Sequence, residues 1–546
     1  MIEFELKFEI PAQSLPKIVA AVHAKKAQLQ ILQACYFDTK DGALAKNGLT
    51  LRMRKEGNDW VQTAKGLTSN SLERLEHNVE IAASKTNVTK NIAPSTKTAN
   101  SKPSNPMPSI DLSRHTDEKI GKLIMSALKI KPNGLIPLLM PLYETDVQRL
   151  KFTVKHAGSL IEIALDQGMV ISGGRSATLC ELEIELKQGK PEHAIALART
   201  WCAKYGLWLS TINKSIKGQR LYDGLLSSQL KQKNLDKNTK LVGKANGQQL
   251  VKAVFQSCLN QILANASEIA SGSQNAEHIH QLRVGIRRLR TAMRELTVLV
   301  DGIDTAWEKP LIDAFRALGQ HRDNDHLNHV LQPQIVAEGG SDVSTHMDAA
   351  KLLDAGLVVR SKVFQDTLLC LIAFVNSSYL NGSDLSDAED SDAKNAADNA
   401  KENYKHKKVT KILANRLDKL HEKIIKEGKK FLALTETQQH SVRKHFKRLR
   451  YLAEFSAPIF VTSSTEKKRS LAFITALKPV QDALGLYNDE LIALQTYRTL
   501  AATDQRAWFG AGWLSARRKS NAKKCQQEIN SFIKNSRKKK LFWQQI

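Results

Sequence analysis

Four glutamates in the N-terminal half alternate with apolar residues at the spacing of a β-strand. They are Glu3 and Glu5 near the start of the chain, and Glu181 and Glu183 much later. Successive side chains of a strand point to opposite faces, so each pair shares one face of its strand. Carboxylates grouped in this way can bind hard divalent cations such as Mg²⁺, which prefer oxygen ligands.

Another segment carries only arginines on its polar face, since Arg52 and Arg54 flank Met53. An antiparallel sheet with one solvated face produces such alternation routinely, and this is the simpler interpretation of any single strand. Separation of the two signs between strands favours a shared interior, because surfaces that only need solubility mix them. Arginine and lysine bind phosphate oxygens through charge-assisted hydrogen bonds. The two sets together would suit a metal-bound phosphate compound.

The elements that must position these residues are short strands, which dominate residues 1–223. Period-two runs occur at residues 49–54, 161–165 and 179–187, and this alternation is typical of half-buried strands. Residues 84–109 are rich in Lys, Thr, Asn, Ser and Pro. They contain too few apolar residues to form a core, so we expect a flexible insertion between strands.

The rest of the chain is predicted to be helical. From residue 248 onward, apolar residues recur three and four positions apart, after a polar linker predicted at 224–247; this spacing indicates amphipathic helices. An acidic, alanine-rich gap at 381–403 divides the helical region into repeats at about 248–380 and 404–546.

Two basic segments support the repeat, because residues 280–290 and 440–450 align without gaps. A looser correspondence links residues 318–323 to 484–489, and duplication of a helical bundle explains both. At about 100° per residue, the basic residues of each segment form one stripe beside an apolar one. Like charges three and four apart repel, so two stripes without acidic partners favour an external anion over a merely solvated face. The stripes contain His280, Arg283, Arg287, Arg290, His440, Arg443, Lys447 and Arg450.

The net charge also favours a polyanionic partner. The chain has 81 Lys and Arg against 55 Asp and Glu, a formal net charge of +26. Nucleic acid, an anionic membrane surface and phosphate polymers all fit such a charge. Few aromatic residues lie between the basic ones, and this disfavours single-stranded nucleic acid, which stacks on aromatic rings.

Membrane insertion and export are not expected. The longest apolar run, residues 368–375, is far shorter than the roughly 20 residues that a membrane helix needs. The N-terminal residues are acidic where a signal peptide is basic. The 6 cysteines lack the spacing of a zinc site or a disulfide framework. We therefore expect a cytoplasmic protein without a membrane partner.

The N-terminal half resembles the CYTH superfamily, also called triphosphate tunnel metalloenzymes. Its first residues, Glu3 to Lys7, have that superfamily's Glu-x-Glu-x-Lys signature, and further charged residues follow in the family's order. These are Arg52, Arg54, Lys65, Arg74, Glu76, Arg149, Glu162, Asp166, Glu181, Glu183 and Lys214. The resemblance implies an eight-stranded antiparallel β-barrel, a tunnel with flanking helices that hydrolyses triphosphates.

The resemblance also implies a role for each residue. The implied ligands of one or two Mg²⁺ or Mn²⁺ ions are Glu3, Glu5, Asp166, Glu181 and Glu183. The implied phosphate-binding cations are Lys7, Arg52, Arg54, Lys65, Arg149 and Lys214. Glu3, Glu5, Lys7 and Lys65 are the predicted catalytic residues, and no general base is assigned. Relatives often have an arginine where this chain has Val147, so we expect one phosphate contact to be lost.

Residues 245–546 resemble the CHAD domain, a helical domain often found after a CYTH domain. The resemblance implies an all-α domain of two pseudo-symmetric helical bundles whose basic helices bind inorganic polyphosphate. The second repeat has Glu454 where the first has Arg294, so its basic stripe is expected to be shorter.

The predicted protein is thus a multidomain α+β inorganic triphosphatase. It would cleave tripolyphosphate to diphosphate and phosphate, while its helical domain binds polyphosphate. An adenylate cyclase, or a nucleoside or thiamine triphosphatase of the same superfamily, is an alternative, as is a non-catalytic polyphosphate-binding protein. The carboxylates disfavour the last, since a site that only held anions would be weakened by them. The sequence does not predict the oligomeric state.

Overall fold

The structure is a computed structural model that describes most of the chain. The described residues are 2–68, 70–81, 106–131, 134–225, 245–343, 353–377, 406–538 and 540–544. Most of the predicted insertion and linker, and the whole acidic gap at 381–403, lie outside these residues.

The chain forms two compact units, residues 1–229 and 230–546. The first contains all the strands of the described residues, and the second is helical. Across the described residues, no helix has both the length and the apolar character needed to cross a bilayer.

The first unit is built on one antiparallel sheet. Its strands are β1 (Ile2–Glu9), β2 (Gln28–Asp38), β3 (Leu49–Glu56), β4 (Asp59–Leu67), β5 (Glu73–Ile81), β6 (Met140–His156), β7 (Ser159–Ser172), β8 (Arg175–Gln188) and β9 (Trp208–Leu209). Its helices are α1 (Leu15–His23), α2 (Ala43–Lys46), α3 (Lys119–Ala127), α4 (Pro191–Tyr205) and α5 (Lys214–Asp223).

Eight of these strands close into a barrel. The strand order is β5-β4-β3-β2-β6-β7-β8-β1, and β1 pairs back onto β5 through Glu3 and Arg74. The short β9 adds to the end of β1. The predicted eight-stranded antiparallel barrel with flanking helices is therefore confirmed.

Alternation along the strands sends charged side chains into the barrel and apolar ones outward. Leu6 and Phe8 of β1 are buried on the outer side, where α4 contacts β1 and β8. On another side, Ile120 and Ile124 of α3 pack against Leu51 of β3. Helices covering the outer face leave the interior for polar groups.

The second unit consists of helices, as predicted. They are α6 (Gly247–Ala270), α7 (Ala276–Leu296), α8 (Glu308–His326), α9 (Gln332–Ala337), α10 (Ala355–Arg360), α11 (Lys362–Asn376), α12 (His406–Gly428), α13 (Glu436–Phe460), α14 (Ser464–Leu500) and α15 (Ala507–Lys538).

The two basic segments lie on α7 and α13, and each helix has a side-chain cap at its first turn. Asn275 accepts a hydrogen bond from the backbone of Glu277 at 3.0 Å. Thr435 and Gln438 form a reciprocal capping box, which satisfies backbone donors that a helix start leaves free. The helices α7 and α13 contact each other, so the two stripes lie in one region of the unit.

Candidate active site and basic cluster

Three carboxylates from β7 and β8 meet inside the barrel. Asp166 pairs in register with Glu181, and Glu183 follows two residues along β8. Each of the three offers an oxygen, and these oxygens all lie within 4.8 Å of one another. Asp166 and Glu181 are fully buried, so the group is shielded from bulk water.

Arg149 and Lys214 neutralise these carboxylates. Arg149 donates to both oxygens of Asp166, at 2.7 and 2.6 Å, and also contacts Glu183. Lys214, the first residue of α5, lies 2.7 Å from Asp166 and 2.7 Å from Glu183, and it also contacts Glu181. Burial opposes the charge of both cations, but the carboxylates outweigh it and raise the pKa of each well above its usual value.

Glu181 and Glu183 remain ionised because of these partners. Burial raises the pKa of Glu183, but the charges of Lys214 and Arg149 outweigh it and hold this pKa well below its usual range. The pKa of Glu181 is lowered in the same way, with Lys214 and Lys7 outweighing burial. Charged carboxylates are the form that binds a metal ion.

Two further lysines complete the cations around Glu181. The Nζ of Lys7 donates to the carbonyl of Ile212 at 2.6 Å and lies 3.8 Å from Glu181. Burial lowers the pKa of Lys7 to about 8. Lys217 of α5 contacts Glu9 at 2.9 Å and Glu181 at 3.4 Å. Sequence reasoning missed Lys217, although its position three residues after Lys214 puts both on one helix face.

Glu3 and Glu5 do not share one environment. Glu5 is buried near Glu183, and burial followed by repulsion from Glu183 raises the pKa of Glu5. Glu3 belongs to a second group, in which Lys65 lies 3.2 Å from Glu3 and 2.6 Å from Glu76. Burial raises the pKa of Glu3 to about 9, so Glu3 holds the proton that it shares with Glu76. Of the predicted metal ligands, Asp166, Glu181 and Glu183 thus form the compact set.

The β3 arginines lie on the same interior face. Arg52 pairs in register with Tyr36, and the phenol and Glu76 outweigh burial to raise the pKa of Arg52. Arg54 contacts Glu56, and burial together with repulsion from Arg52 lowers its pKa to about 10. Arg52 and Arg54 therefore add positive charge to the opposite wall from β8.

One end of the interior is apolar and is filled by α5. Leu32, Val147 and Leu179 belong to a buried cluster against which Tyr222 of α5 packs. A Cβ at Gly218 would lie 2.0 Å from the ring of Tyr143, so glycine permits this close approach. Val147 thus packs in this apolar cluster.

The opposite end carries a mixed set of charges. Glu162 lies 3.5 Å from Lys151 and 3.5 Å from Lys187, and Lys187 lies 2.6 Å from Glu185. Lys187 is the most exposed of these, with 38% of its side chain accessible. An anion would therefore meet lysines at this end, rather than the apolar cluster.

The interior fits a divalent metal ion. Its donors are clustered carboxylate oxygens, which are the ligands that Mg²⁺ and Mn²⁺ prefer. Asp166, Glu181 and Glu183 would hold the ion, with Glu5 beside them. Arg149 and Lys214 border the same position, so a phosphate group bound there would meet both cations.

A basic cluster in the second unit combines both predicted stripes. Arg287 of α7 repels Arg443 and Lys447 of α13, as the lowered pKa values of the latter two indicate, although burial is the larger cause for each. The guanidinium groups of Arg283 and Arg287 lie over the ring of Phe315, at 4.6 and 5.3 Å. Among the described residues, no carboxylate lies within ion-pair distance of Arg287, Arg443 or Lys447.

Three of the other stripe residues, Arg290, Arg450 and His440, have partners within the unit. Arg290 lies 2.8 Å from Glu308. Arg450 lies 2.9 Å from Glu454 and donates to Gln481 at 2.8 Å. The ring of His440 lies 2.7 Å from the amide oxygen of Asn488.

Burial lowers the pKa of both His280 and His440. The basic stripe of the second repeat was expected to be shorter because of Glu454. In the structure, Glu454 forms an ion pair with Arg450, the last basic residue of that stripe.

Sequence reasoning did not assign Arg322 to this cluster. Arg322 of α8 lies 2.7 Å from Asp489 of α14, and its charge lowers the pKa of Arg443. Arg322 and Asp489 lie in the two copies of the looser repeated motif, 318–323 and 484–489. This repeat was the sequence feature that could have pointed to them.

The family comparisons divide the chain where the structure does. A model of the CYTH domain matches residues 1–218, and a model of the CHAD domain matches residues 253–498. The protein therefore consists of a CYTH domain followed by a CHAD domain.

Individual relatives match parts of the chain. An inorganic triphosphatase from Haemophilus influenzae is 26% identical over 224 residues, which are 40% of this chain and 54% of that protein. The chain thus spans about half the length of this relative.

Among solved structures, the CHAD domain of the plant Ricinus communis has a TM-score of 0.35 and 19% identity, covering 56% of this chain and 96% of its own. A putative adenylyl cyclase from Hippeastrum, described as revealing a dominant triphosphatase activity, has a TM-score of 0.27 and 15% identity. The match covers 41% of this chain and 96% of the Hippeastrum chain.

Proposed function

We propose that the CYTH domain is a metal-dependent inorganic triphosphatase that hydrolyses tripolyphosphate to diphosphate and phosphate. The observation that carries the proposal is a group of three carboxylates inside a closed barrel, all contacted by Lys214 and two of them, Asp166 and Glu183, also contacted by Arg149. A metal-bound phosphate needs acidic ligands for the ion and cations for its own oxygens, and this arrangement supplies both within a few ångströms.

The protein's residues would act mainly by positioning and charge stabilisation, which is what phosphoryl transfer requires of an enzyme. Arg52, Arg54 and Lys65 would hold phosphate oxygens on one wall, while Arg149 and Lys214 hold those nearest the carboxylates. A bound Mg²⁺ or Mn²⁺ ion would polarise the phosphate oxygens and lower the pKa of a bound water. No covalent nucleophile is needed.

The apolar cluster and α5 favour a short substrate. They fill one end of the barrel interior, so a phosphate chain entering from the lysine-bearing end would present its terminus to the carboxylates. A compact triphosphate meets this condition better than the middle of a long polymer. A nucleotide would have to place its base near Lys151 and Lys187.

Phosphate release from tripolyphosphate, ATP, thiamine triphosphate and long-chain polyphosphate, with Mg²⁺ or Mn²⁺, tests this proposal. Tripolyphosphate should be cleaved fastest, and Glu5→Gln should abolish the reaction. Faster release from ATP or thiamine triphosphate would overturn the substrate assignment. Binding without any phosphate release would favour a non-catalytic anion-binding protein.

We also propose that the CHAD domain binds inorganic polyphosphate through its basic cluster, Arg283, Arg287, Arg322, Arg443 and Lys447. Arg287, Arg443 and Lys447 come from two helices and repel one another, and a polyanion would relieve this repulsion. The predicted contributions of His280, Arg290, His440 and Arg450 stay predictions, and the partners of Arg290 and Arg450 make them weaker candidates. Retention of the protein on immobilised long-chain polyphosphate, but not on neutral resin, tests this binding.

A further inference from the structure

A largely buried carboxylate lies among the cations of the basic cluster. Asp489 of α14 accepts a hydrogen bond from Arg322 of α8 at 2.7 Å, and only 10% of its side chain is exposed. Burial raises the pKa of Asp489, but Arg322 and then Arg443 outweigh it, so the pKa is lowered and the group stays ionised.

The negative charge of Asp489 also acts on cations of the cluster other than Arg322. Burial, followed by the charges of Arg287 and Arg443, lowers the pKa of Lys447 to about 6, whereas Asp489 opposes the shift. Asp489 likewise opposes the effect of burial on Arg443, and it adds to the larger effect of Asp323 on Arg283. The Asp489 carboxylate therefore partly neutralises several cations at once.

Asp489 is also held in place. The preceding residue, Asn488, contacts the ring of His440 on α13 at 2.7 Å, and both residues belong to the long helix α14. The pair of Arg322 and Asp489 joins the corresponding motifs of the two repeats. A carboxylate fixed in this way cannot move far when an anion approaches the cluster.

We propose that Asp489 is a built-in counter-anion of the polyphosphate site, which competes with the bound phosphate chain for Arg322 and Arg443. This inference rests on the proposed polyphosphate binding of the CHAD domain. In the free domain, Asp489 reduces repulsion among the cations. In the bound domain, it repels the phosphates, so polyphosphate binds less tightly than the cations alone would allow.

The sign of a mutational effect separates this role from a purely structural one. If the pair of Arg322 and Asp489 only held the repeats together, its loss would disorder the site and weaken binding. If Asp489 competes with the ligand, its neutralisation strengthens binding. Asp489→Asn keeps an oxygen that can accept from Arg322, so the substitution removes charge with little change of shape.

The test measures binding of long-chain polyphosphate to the full chain at several salt concentrations. We expect Asp489→Asn to bind about three- to ten-fold more tightly at low salt, because one repulsive charge is removed from a partly buried site. The affinity should also fall more steeply with salt, since more counterions are displaced. Asp323→Asn, at the corresponding position of the first repeat, should show a smaller gain, because Asp323 is more exposed.

Asp482→Asn is the matched control, because Asp482 lies on the same helix but is exposed and pairs with Lys478 at 2.7 Å. It should change the affinity little. Unchanged or weaker binding by Asp489→Asn, with normal binding by the unsubstituted protein, would overturn the counter-anion role alone. Absence of binding by the unsubstituted protein would instead overturn the polyphosphate function on which the inference rests.

Discussion

Individual charged groups in the barrel differ in what their surroundings do to them. Glu183 is held ionised by Lys214 and Arg149, whereas burial keeps a proton on Glu3. Carboxylates on the neighbouring strands β1 and β8 thus have opposite protonation states in the absence of ligand. The ionised group beside Asp166 and Glu181 is the one suited to hold a cation.

Glu183→Gln should reduce tripolyphosphate hydrolysis by about 100-fold or more, a loss typical of removing a group that stabilises charge in the transition state. The amide is a poorer metal ligand and leaves Arg149 and Lys214 with one negative charge fewer. Phosphate release at saturating Mg²⁺ measures the effect. Glu144→Gln, on the exposed outer face of β6, is the control and should retain activity. Comparable activity of the two variants would contradict the role of Glu183.

Polyphosphate affinity should depend on pH through Lys447. Its pKa is about 6 in the free domain, and a bound phosphate chain would raise it, so binding takes up a proton. Affinity should therefore be highest below pH 6 and fall as pH rises towards the bound-state pKa. The groups acting on Lys447 are Arg287, Arg322, Arg443 and Asp489.

Lys447→Arg is the matched test of this pH dependence, because arginine stays protonated. The variant should lose the decline of affinity above pH 6.5. Burial also lowers the pKa of His280 and of His440. An equal decline in the variant, measured by titration calorimetry, would assign the effect to another group.

At the scale of elements, α5 links the apolar end of the barrel to its charged centre. Gly218 touches the ring of Tyr143, and Lys214 lies one turn earlier on the same helix. A shift of this helix would therefore move a cation away from the carboxylates.

Gly218→Ala should lower triphosphatase activity about ten-fold and reduce stability by about 1 to 3 kcal/mol, the usual range for overpacking. Its Cβ would clash with Tyr143, so α5 must move outward. Gln219→Ala, at the next position of the helix, is the control, because the Gln219 amide contacts Asp223 of the same helix. Activity assays and thermal unfolding measure both. Unchanged activity in Gly218→Ala would show that the position of α5 does not affect catalysis at the barrel site.

Alternation of residue types predicted that Glu3 and Glu5, Glu181 and Glu183, and Arg52 and Arg54 share faces of their strands, whereas Lys65, Arg149, Asp166 and Lys214 were implied only by the resemblance to the CYTH superfamily. Alternation could not predict that β1 pairs with β5, or where α5 packs against the barrel. Both features depend on contacts between residues that are far apart in the sequence. The pair of Arg322 and Asp489 is 167 positions apart. The partner of Arg290 was missed for the same reason, since Glu308 lies on the next long helix.

At the scale of the whole molecule, the two units carry separate chemistry. The carboxylates and their cations lie in residues 1–229, and the basic cluster lies in residues 230–546. Each unit has its own core, so damage to one anion site should leave the other intact.

Arg287→Glu combined with Arg443→Glu should abolish retention on long-chain polyphosphate while tripolyphosphate hydrolysis stays within about two-fold, as expected for sites that share no residues or partners. Lys309→Glu with Lys478→Glu changes the net charge equally, but these lysines are exposed and pair with Asp313 and Asp482. The control should retain most of its binding. Equal losses in both double variants would mean that net charge, rather than the cluster, holds polyphosphate.

The most direct test of the barrel site is a crystal structure with Mn²⁺ and a non-hydrolysable imido analogue of tripolyphosphate. We predict an anomalous Mn²⁺ peak among the carboxylates of Asp166, Glu181 and Glu183, with phosphate oxygens against Arg149 and Lys214. A peak elsewhere, or an analogue bound outside the barrel, would contradict the account.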